Sequence, residues 1–237
     1  MMRFIAHSSL LFIVVLILSA CGGGGGGSGN GDPDPNPGNT EESFRLFPQG
    51  YFVAGYREEF DIEGENIFGE YEGTILTVTE SEAIFNGSQA VPVRTFTDWH
   101  NKLDVEDAVA LEGVDYFSTA EDDRRRLGNF FTTFLITAVA NSNEVLPVTA
   151  KFGDEGTAGI FSDSVGETIE ITWKLEDAGN NKAKLTWQST SKFPDNSIHI
   201  ISTTSYIIGK DGKRESLTIN FDDRFLNVVT TWTGVRK

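Results

Sequence analysis

The stretch that decides the fold is TIEITWKLEDAGNNKAKLTWQSTS, residues 168–191. On both sides of its Asp-Ala-Gly-Asn-Asn segment, apolar and polar side chains alternate with the two-residue period of a β-strand. A pairing centred within that segment gives two cross-strand pairs, Trp173 with Trp187 and Leu175 with Leu185. Since these side chains then share one face and their polar neighbours the other, the stretch predicts an antiparallel hairpin with one apolar and one solvated side.

The C-terminal segments extend the same pattern. Their predicted register rests on two-residue turns at Asp211-Gly212 and Asp222-Asp223. These turns give the cross-strand pairs Tyr206 with Leu217, Ile219 with Leu226, and Leu217 with Val228. One face then holds the apolar side chains Leu217, Ile219, Phe221, Leu226, Val228 and Trp232. A slip by one residue would scramble this separation, so its consistency supports the pairing.

Alternating patterns of this kind recur along residues 44–237 and are broken at short intervals by turn residues such as Asn86-Gly87. Strands are predicted at residues 51–57, 74–79, 91–98, 130–139, 168–176, 182–191, 197–208, 215–221 and 225–233. The predicted fold class is all-β, an antiparallel meander of about 9–10 strands that closes as a barrel, a half-barrel or a sandwich.

At most one short helix is expected. Residues 104–112, DVEDAVALE, fit a helix with Asp104 as its N-cap and Gly113 as its stop. The overlapping residues 109–118 fit a strand equally well. Both alternatives stay open from the sequence.

The composition narrows the classes of function. The 237 residues include 35 Asp and Glu against 19 Lys and Arg, a formal charge of -16, whereas a nucleic-acid partner requires a basic surface. The single cysteine, Cys21, excludes an intramolecular disulfide and a Cys-rich zinc site. Hydrophobic residues make up 39% of the chain, which is enough to build the core of one domain. We therefore expect a folded, acidic domain with no nucleic-acid partner.

The first twenty residues have the pattern of an export signal. Arg3 is their one charged residue, and the apolar run LLFIVVLIL that follows is too short to span a hydrocarbon core of ~30 Å. The run ends at Leu18-Ser19-Ala20-Cys21, which resembles the lipobox of bacterial lipoproteins. The resemblance implies that Cys21 carries a diacylglyceryl group with acyl chains such as palmitate, and that the signal is removed just before it. Such acyl chains would attach the protein to a membrane.

The chain is thus predicted to have three parts: a signal peptide 1–20, a lipidated tether 21–43 and one all-β domain 44–237. The tether has six consecutive glycines, several prolines and hardly an apolar side chain, so it is predicted to be disordered. Its mean reach as a random coil is roughly 25 Å. Gly22 after the cysteine implies, by the sorting rule of that family, the outer membrane of a bacterial envelope. Its periplasmic and surface faces both stay open.

One acidic stretch is a candidate metal site. Counted from Asp61, the acids Asp61, Glu63, Glu65 and Glu72 have the spacing of a calcium loop. Position six, which requires glycine, is Asn66, and the flanking residues fit strands rather than helices. Alternating acids on the exposed face of an edge strand would produce the same letters. We expect that solvated strand, and no bound metal or cofactor.

The other polar residues form no recognised catalytic motif. His100 and His199 lack the spacing of a metal or catalytic site, and the isoleucines on either side of His199 predict that its ring lies on the polar face of a strand. The mixed charges EDDRRR, residues 121–126, predict a solvated loop. A ligand-binding trio of arginines is the alternative for the same letters. No catalytic residue is assigned.

Residues 146–155, LPVTAKFGDE, loosely resemble β-rich lipoproteins of proteobacteria that have no assigned activity. Three hypotheses for the function follow from the sequence as a whole. The leading hypothesis is an outer-membrane lipoprotein, held by lipid on Cys21, whose β-domain is a binding or structural module for a hydrophobic ligand or an envelope protein. The second is a carrier or chaperone of a lipid or hydrophobic ligand in a barrel cavity. The aromatic residues would line that cavity, whereas in the alternative they fill a packed core. The third is a carboxylate-based hydrolase, which needs two converging acids.

Overall fold

The computed structural model describes residues 42–237, and every regular element in that part of the chain is a β-strand. The strands are β1 (Ser43–Arg45), β2 (Arg57–Asn66), β3 (Gly69–Thr79), β4 (Ala83–Phe85), β5 (Ser88–Asn101), β6 (Asp104–Ser118), β7 (Arg126–Phe131), β8 (Ile136–Asn143), β9 (Thr149–Lys151), β10 (Glu155–Asp163), β11 (Thr168–Gly179), β12 (Lys182–Lys192), β13 (Ile198–Ile208), β14 (Arg214–Asp223) and β15 (Val228–Arg236). None of these residues forms a helix long and apolar enough to cross a membrane. The predicted signal peptide, Cys21 and all but the end of the predicted tether lie outside the described residues.

Twelve of the strands form a closed antiparallel barrel. Their order is β3-β2-β15-β14-β13-β12-β11-β10-β8-β7-β6-β5, and pairing of β3 with β5 closes the ring. β4 forms a short hairpin with β5 across Asn86-Gly87, and β1 pairs with β9 outside the ring. The all-β antiparallel prediction is confirmed, and among its three alternatives the structure is a barrel.

The strand count is higher than predicted for two local reasons. Residues 130–139, predicted as one strand, contain a four-residue turn that separates β7 from β8. The predicted strand 51–57 is instead mostly turns and bends, and β2 begins where that prediction ends. Aromatic residues at 51, 52 and 56 mimic a strand pattern, although they belong to an irregular segment in which Tyr51 is buried and the other two are partly buried.

The hairpin of β11 and β12 has the predicted register. Trp173 lies opposite Trp187, with their ring centroids 6.2 Å apart, and Leu175 lies opposite Leu185. All four are buried on the inner wall of the barrel. The Tyr206–Leu217 pair between β13 and β14 is also confirmed.

The predicted register of β14 and β15 is wrong. Ile219 pairs with Trp232 rather than Leu226, because both Asp222 and Asp223 belong to β14 and the turn spans the four residues 224–227. Leu217 likewise pairs with Gly234 rather than Val228. Each displacement is by six residues, an even number, so the predicted division into an inner and an outer face survives. Leu226 is the exception, since it lies in the turn.

Of the two alternatives for residues 104–118, the strand is confirmed and the helix at 104–112 is wrong. These residues are the first part of β6, which pairs with β5 along its length, and Gly113 lies inside the strand rather than at a helix end. Val109 and Leu111 follow the two-residue period, with Leu111 buried in the core. The local helical pattern is overridden because closure of the sheet requires β6 between β5 and β7.

Ring closure depends on inward-facing glycines next to inward-facing tryptophans. Gly73 of β3 pairs with Trp99 of β5, and Gly64 of β2 pairs with Trp232 of β15. A methyl group at Gly73 would lie 2.6 Å from Trp99 Cα, and one at Gly64 would lie 2.5 Å from the Trp232 ring. The two indoles meet edge to face, with centroids 5.7 Å apart. The missing side chains therefore provide the space in which two of the four inner-wall tryptophans, Trp99 and Trp232, pack.

The barrel interior is filled by the chain itself. The inner-wall side chains belong to one continuous core of buried residues, which also includes Phe44, Leu46, Phe47 and Tyr51 from the segment before β2. We call residues 44–56 the plug segment. Its Phe47 reaches Trp187 on the inner wall, with ring centroids 6.2 Å apart. The aromatic residues thus build a core rather than line an open lumen.

We predict that Gly73→Ala lowers the free energy of unfolding by about 3 kcal/mol or more, because the added methyl group meets backbone atoms that cannot rotate away. Gly113→Ala is the matched control, since a methyl group there meets the nearest atom, on the Phe131 ring, at 3.4 Å. Urea unfolding followed by tryptophan fluorescence measures both variants. Equal stability of the two variants would contradict the role given to Gly73 in closure.

Candidate functional site

The two ends of the barrel are built differently. The plug segment covers one end, where Arg45 N–H donates to the carbonyl of Lys210 in the β13–β14 turn and Leu46 N–H donates to that of Val148. We call this the plugged end. The opposite end, which we call the turn end, is formed by the β2–β3, β5–β6, β7–β8, β10–β11, β12–β13 and β14–β15 turns. Each end contains one cluster of buried polar residues.

The cluster at the plugged end is an ion pair between Arg214 and Glu58. Arg214 Nη1 lies 2.5 Å from Glu58 Oε1, and the side chains are 4% and 0% exposed. The Arg214 guanidinium also lies over the rings of Tyr51 and Tyr206, 4.7 and 4.3 Å from their centroids. Burial alone would lower the pKa of Arg214, but Glu58 and the tyrosines raise it well above the ordinary value. The ion pair therefore fixes the plug segment to the barrel wall.

The arginines of EDDRRR are not the predicted solvated loop. Arg126 is buried inside the barrel, 2.5 Å from Asp115, and Arg124 is buried with its guanidinium 4.3 Å from the centroid of Phe52 in the plug segment. Arg125 alone stays near the surface, where it pairs with Asp123. The three side chains thus diverge, and they form no common ligand-binding trio.

A pocket of about 250 Å³ lies between the plug segment and the loops beside it. Its walls include Arg45, Phe47, Phe52, Arg124 and Leu146. Aromatic walls with two guanidinium groups are suited to a small anionic or amphipathic molecule. The volume is too small for a whole lipid, since pockets for drug-sized ligands span roughly 300–1,000 Å³.

The cluster at the turn end joins three strands through Glu167. Its Oε1 lies 2.6 Å from His199 Nδ1, and its Oε2 accepts a hydrogen bond of 2.5 Å from the Ser191 hydroxyl. The His199 ring stacks on Phe193 at a centroid distance of 4.2 Å. Burial opposes ionisation of Glu167, but the bonds from His199 and Ser191 outweigh it and lower the pKa of Glu167. A charged carboxylate therefore holds the ends of β12 and β13 to the turn before β11.

The prediction that His199 lies on the polar face is wrong. Ser191 pairs with Ile200 and Lys192 with Ile198, so His199 is the extra residue of a β-bulge. The bulge breaks the two-residue period and lets His199 and Ile200 both be buried. His100, in contrast, lies on the outer side of β5, where Nε2 is 3.2 Å from a carboxylate oxygen of Glu72.

The Glu167 cluster has the residue types of a catalytic triad but not its geometry. A nucleophilic serine must give its proton to an imidazole, which the carboxylate orients from the other side. Here the carboxylate lies between serine and histidine and receives both bonds, and Ser191 is 1% exposed. The arrangement is suited to holding strands together rather than to attacking a substrate.

Two neighbouring acids at the turn end have pKa values shifted in opposite directions. Burial raises the pKa of Asp163, while that of Glu167 is lowered. Such a separation is the pattern that a carboxylate-based hydrolase would need. Asp163 Oδ1, however, accepts the backbone N–H groups of Val165 and Glu167, at 3.0 and 2.8 Å, and shapes the turn. Both carboxylates thus have structural partners.

The four acids of the calcium candidate lie on the outer side of two paired strands. Asp61, Glu63 and Glu65 alternate along β2, and Glu72 of β3 pairs directly with Glu63. Asp61 bonds to Lys237 at 2.8 Å and Glu63 to a neighbouring lysine at 3.0 Å. Among the described residues, no group of three or more His, Cys, Asp or Glu could hold a metal ion. The strand is not an edge strand as expected, since β2 lies between β15 and β3.

Sequence reasoning missed Glu58, Arg214, Glu167 and Ser191 as members of buried clusters. A signal exists for Glu58, because it occupies the same alternate positions as Phe60 and Ile62 in REEFDI. The others carry no comparable signal. Their partners are distant in the chain. One bulge in β14 lies beside Arg214, and another in β13 lies opposite the end of β12 that holds Ser191.

The fold and its clusters define this protein as a closed twelve-stranded antiparallel barrel with a plugged end. No family model matches the chain, and no curated protein matches it significantly. One crystal structure, provisionally described as a lipoprotein from Parabacteroides distasonis, is 12% identical and aligns over 81% of this chain and 97% of its own, with a TM-score of 0.34. A likeness at that level carries no argument about fold or role, and the resemblance to proteobacterial lipoproteins stays a prediction.

We predict that Arg214→Met lowers the free energy of unfolding by about 3 kcal/mol, because Glu58 is then left buried with only Arg236, 3.7 Å away, as a neighbouring cation. Lys182→Met is the matched control. It removes a half-exposed partner of Glu215 and should change stability by less than about 1 kcal/mol. Chemical denaturation at neutral pH measures both, and adding Glu58→Leu to Arg214→Met should restore part of the loss. Equal costs for the two single variants would contradict a fixing role for the pair.

We predict that Glu167→Gln weakens the loss of stability in acid. Because the folded-state pKa of Glu167 lies below its ordinary value of 4.5, the ionised carboxylate adds stability above that pH, and the contribution disappears as the pH falls through the folded-state value. Urea midpoints measured from neutral pH down to about pH 3 should fall less steeply for Glu167→Gln than for the unaltered chain. Glu170→Gln, on the outer side of the adjoining strand β11, is the control. A slope for Glu167→Gln as steep as that of the control would refute the proposed contribution.

Proposed function

We propose that this chain is a lipid-anchored protein of the bacterial cell envelope whose barrel acts as a binding or structural module. The observation that carries the proposal is the spacing of Leu18-Ser19-Ala20-Cys21 from the fold. The first strand begins at Ser43, so a tether of about twenty residues separates the lipid-attachment motif from a complete barrel. In that arrangement the lipid on Cys21 attaches the barrel to a membrane, and the residues of the barrel core are not needed for attachment. Outer-membrane placement rests on Gly22 and is part of the same proposal.

The bonding partners of the buried polar residues favour a binding or structural role over catalysis. The buried acids of the described chain bond to arginines, histidine, serine or backbone groups, and the titratable cluster at the turn end lacks an activated nucleophile. A filled interior also disfavours the carrier hypothesis in its original form, which requires a barrel cavity. If the barrel binds a small molecule, the pocket beside the plug segment, with Arg45 and Arg124, is the favoured site.

We predict that cells expressing the full chain incorporate radiolabelled palmitate into it and that Cys21→Ser abolishes this incorporation, since the thiol is the acceptor. Ser19→Ala is the matched control, because it alters the motif but keeps both the small side chain and the thiol. Palmitate entering the Cys21→Ser chain, or entering neither chain, would refute the anchor.

A further inference from the structure

Every turn at the turn end carries an exposed apolar side chain at or beside its tip. All six turns lie at this end because each joins an outgoing strand to its returning neighbour in the up-and-down ring. The apolar tips are Ile67 in β2–β3, Leu103 in β5–β6, Leu135 in β7–β8, Val165 in β10–β11, Ile198 beside β12–β13 and Phe225 in β14–β15. Their exposed fractions run from 45% for Ile198 to 94% for Leu103.

The plugged end follows the opposite rule. Its tight turns are Asn86-Gly87, Asn180-Asn181 and Asp211-Gly212. These residue types expose no apolar side chain to water, and they tolerate the positive φ angles of two-residue hairpin turns. The two-residue turn between β2 and β3 is Ile67-Phe68, and both of these side chains are exposed. Apolar tips are therefore absent from these three tight turns, although exposed apolar side chains such as Val53, Ile84 and Val148 lie elsewhere near the plugged end.

Leu135 shows that this property works against local stability. It adopts a left-handed backbone conformation, with φ +56°, at the fourth position of the turn between β7 and β8. The corresponding position of the β14–β15 turn is Asn227, with φ +54°. Asparagine tolerates this conformation and leucine does not. Since Leu135 is 75% exposed, neither the backbone nor contact with water favours it there, whereas a contact outside the chain would.

The arrangement of the tips fits a bilayer surface. They are single side chains spaced around the rim of a barrel rather than one continuous patch, and a fluid apolar layer accepts such separate projections. Lys102 and Arg224 lie in the turns, directly before the tips Leu103 and Phe225, and pair with Glu63 of β2 and Asp222 of β14. These paired charges therefore lie at the level of the zwitterionic headgroups when the tips enter the layer.

The length of chain outside the structure permits this orientation. Residues 22–42 extend up to ~70 Å at ~3.3 Å per residue. A strand of about eleven residues tilted by ~40° spans only ~28 Å along the barrel axis. A chain attached through Cys21 and entering at the plugged end can therefore run beside the barrel and still let the turn end reach the same membrane.

We propose that the turn end rests on the bilayer, with its apolar tips inserted among the lipid headgroups. Removal of residues 1–20, and with them Arg3, takes the formal charge from -16 to -17, so anionic lipids would repel the barrel. The surface it fits is therefore zwitterionic, as in phosphatidylcholine or phosphatidylethanolamine. This contact needs no covalent lipid and can be tested apart from the anchor.

The test is flotation with phosphatidylcholine vesicles of residues 22–237, which lack Cys21 and contain the entire described barrel. The tip variant carries Ile67→Ser, Leu103→Ser and Phe225→Ser. The control carries Val53→Ser, Ile84→Ser and Val235→Ser, which are comparably exposed at or near the plugged end. We expect the unaltered chain and the control to float, and the tip variant to lose vesicle binding by roughly tenfold or more. Adding anionic lipid should weaken the binding.

Several outcomes would overturn the proposal. They are an unaltered chain that does not float, an equal loss in both variants, and binding that occurs only with anionic vesicles. Dimers that the tip substitutions dissociate, without vesicle binding, would assign the turn end to a second copy of the chain instead. Circular dichroism melting of each variant verifies its fold. If the tip variant is unfolded, Leu103→Ser alone replaces it, because that side chain is 94% exposed and contributes little to the core.

Discussion

Closure of the sheet by β3 and β5 is the constraint on which the other features of this barrel depend. A closed ring leaves no edge strand, so each barrel strand has hydrogen-bonding neighbours on both sides. Closure also forces the strands to coil, and this brings Trp99 and Trp232 over positions where a Cβ atom has no room. Glycine at positions 64 and 73 resolves that conflict. The close approach of the strands at these two glycines and the packing of Trp99 and Trp232 therefore have the same cause.

A ring of twelve strands encloses more space than its apolar inner side chains fill, and the chain meets that need in two ways. The plug segment brings its own aromatic residues into one end. Charged side chains also point inward, but as the pairs Glu58–Arg214 and Asp115–Arg126. Pairing is required there, because an isolated buried charge costs several kcal/mol. Since Arg214 also contacts the ring of Tyr51, one ion pair both fills space and holds the plug segment in place.

The alternation of residue types is sufficient to predict which face of each C-terminal strand is apolar, and it does so even where the pairing is wrong. The alternation places Ile219 and Phe221 on the inner face, although the predicted register pairs them with the wrong residues of β15. They lie on that face because the register error is an even number of residues. The candidate site could not be predicted in the same way. At His199 and Arg214 a bulge adds a residue, so counting by two assigns the wrong side. Bulge positions depend on how neighbouring strands must bend, which a single strand's sequence does not contain.

A barrel whose interior is its own core can act only through its wall and its ends. Charged side chains alternate along the outer wall, and many of them form exposed pairs such as Lys174–Glu176. Such pairs add little to the free energy of unfolding, but they keep the wall hydrated. At the plugged end, the plug segment is held by the Arg214 guanidinium over the Tyr51 ring and by the Tyr56 hydroxyl, which donates to Glu58, and the small pocket lies beside it. The turn end has no such closure. Its Glu167 cluster holds the ends of β12 and β13 together, so that the neighbouring turns are presented on a fixed frame. Rigid support beneath exposed apolar side chains is what a contact surface requires, because little conformational entropy is then lost when it binds.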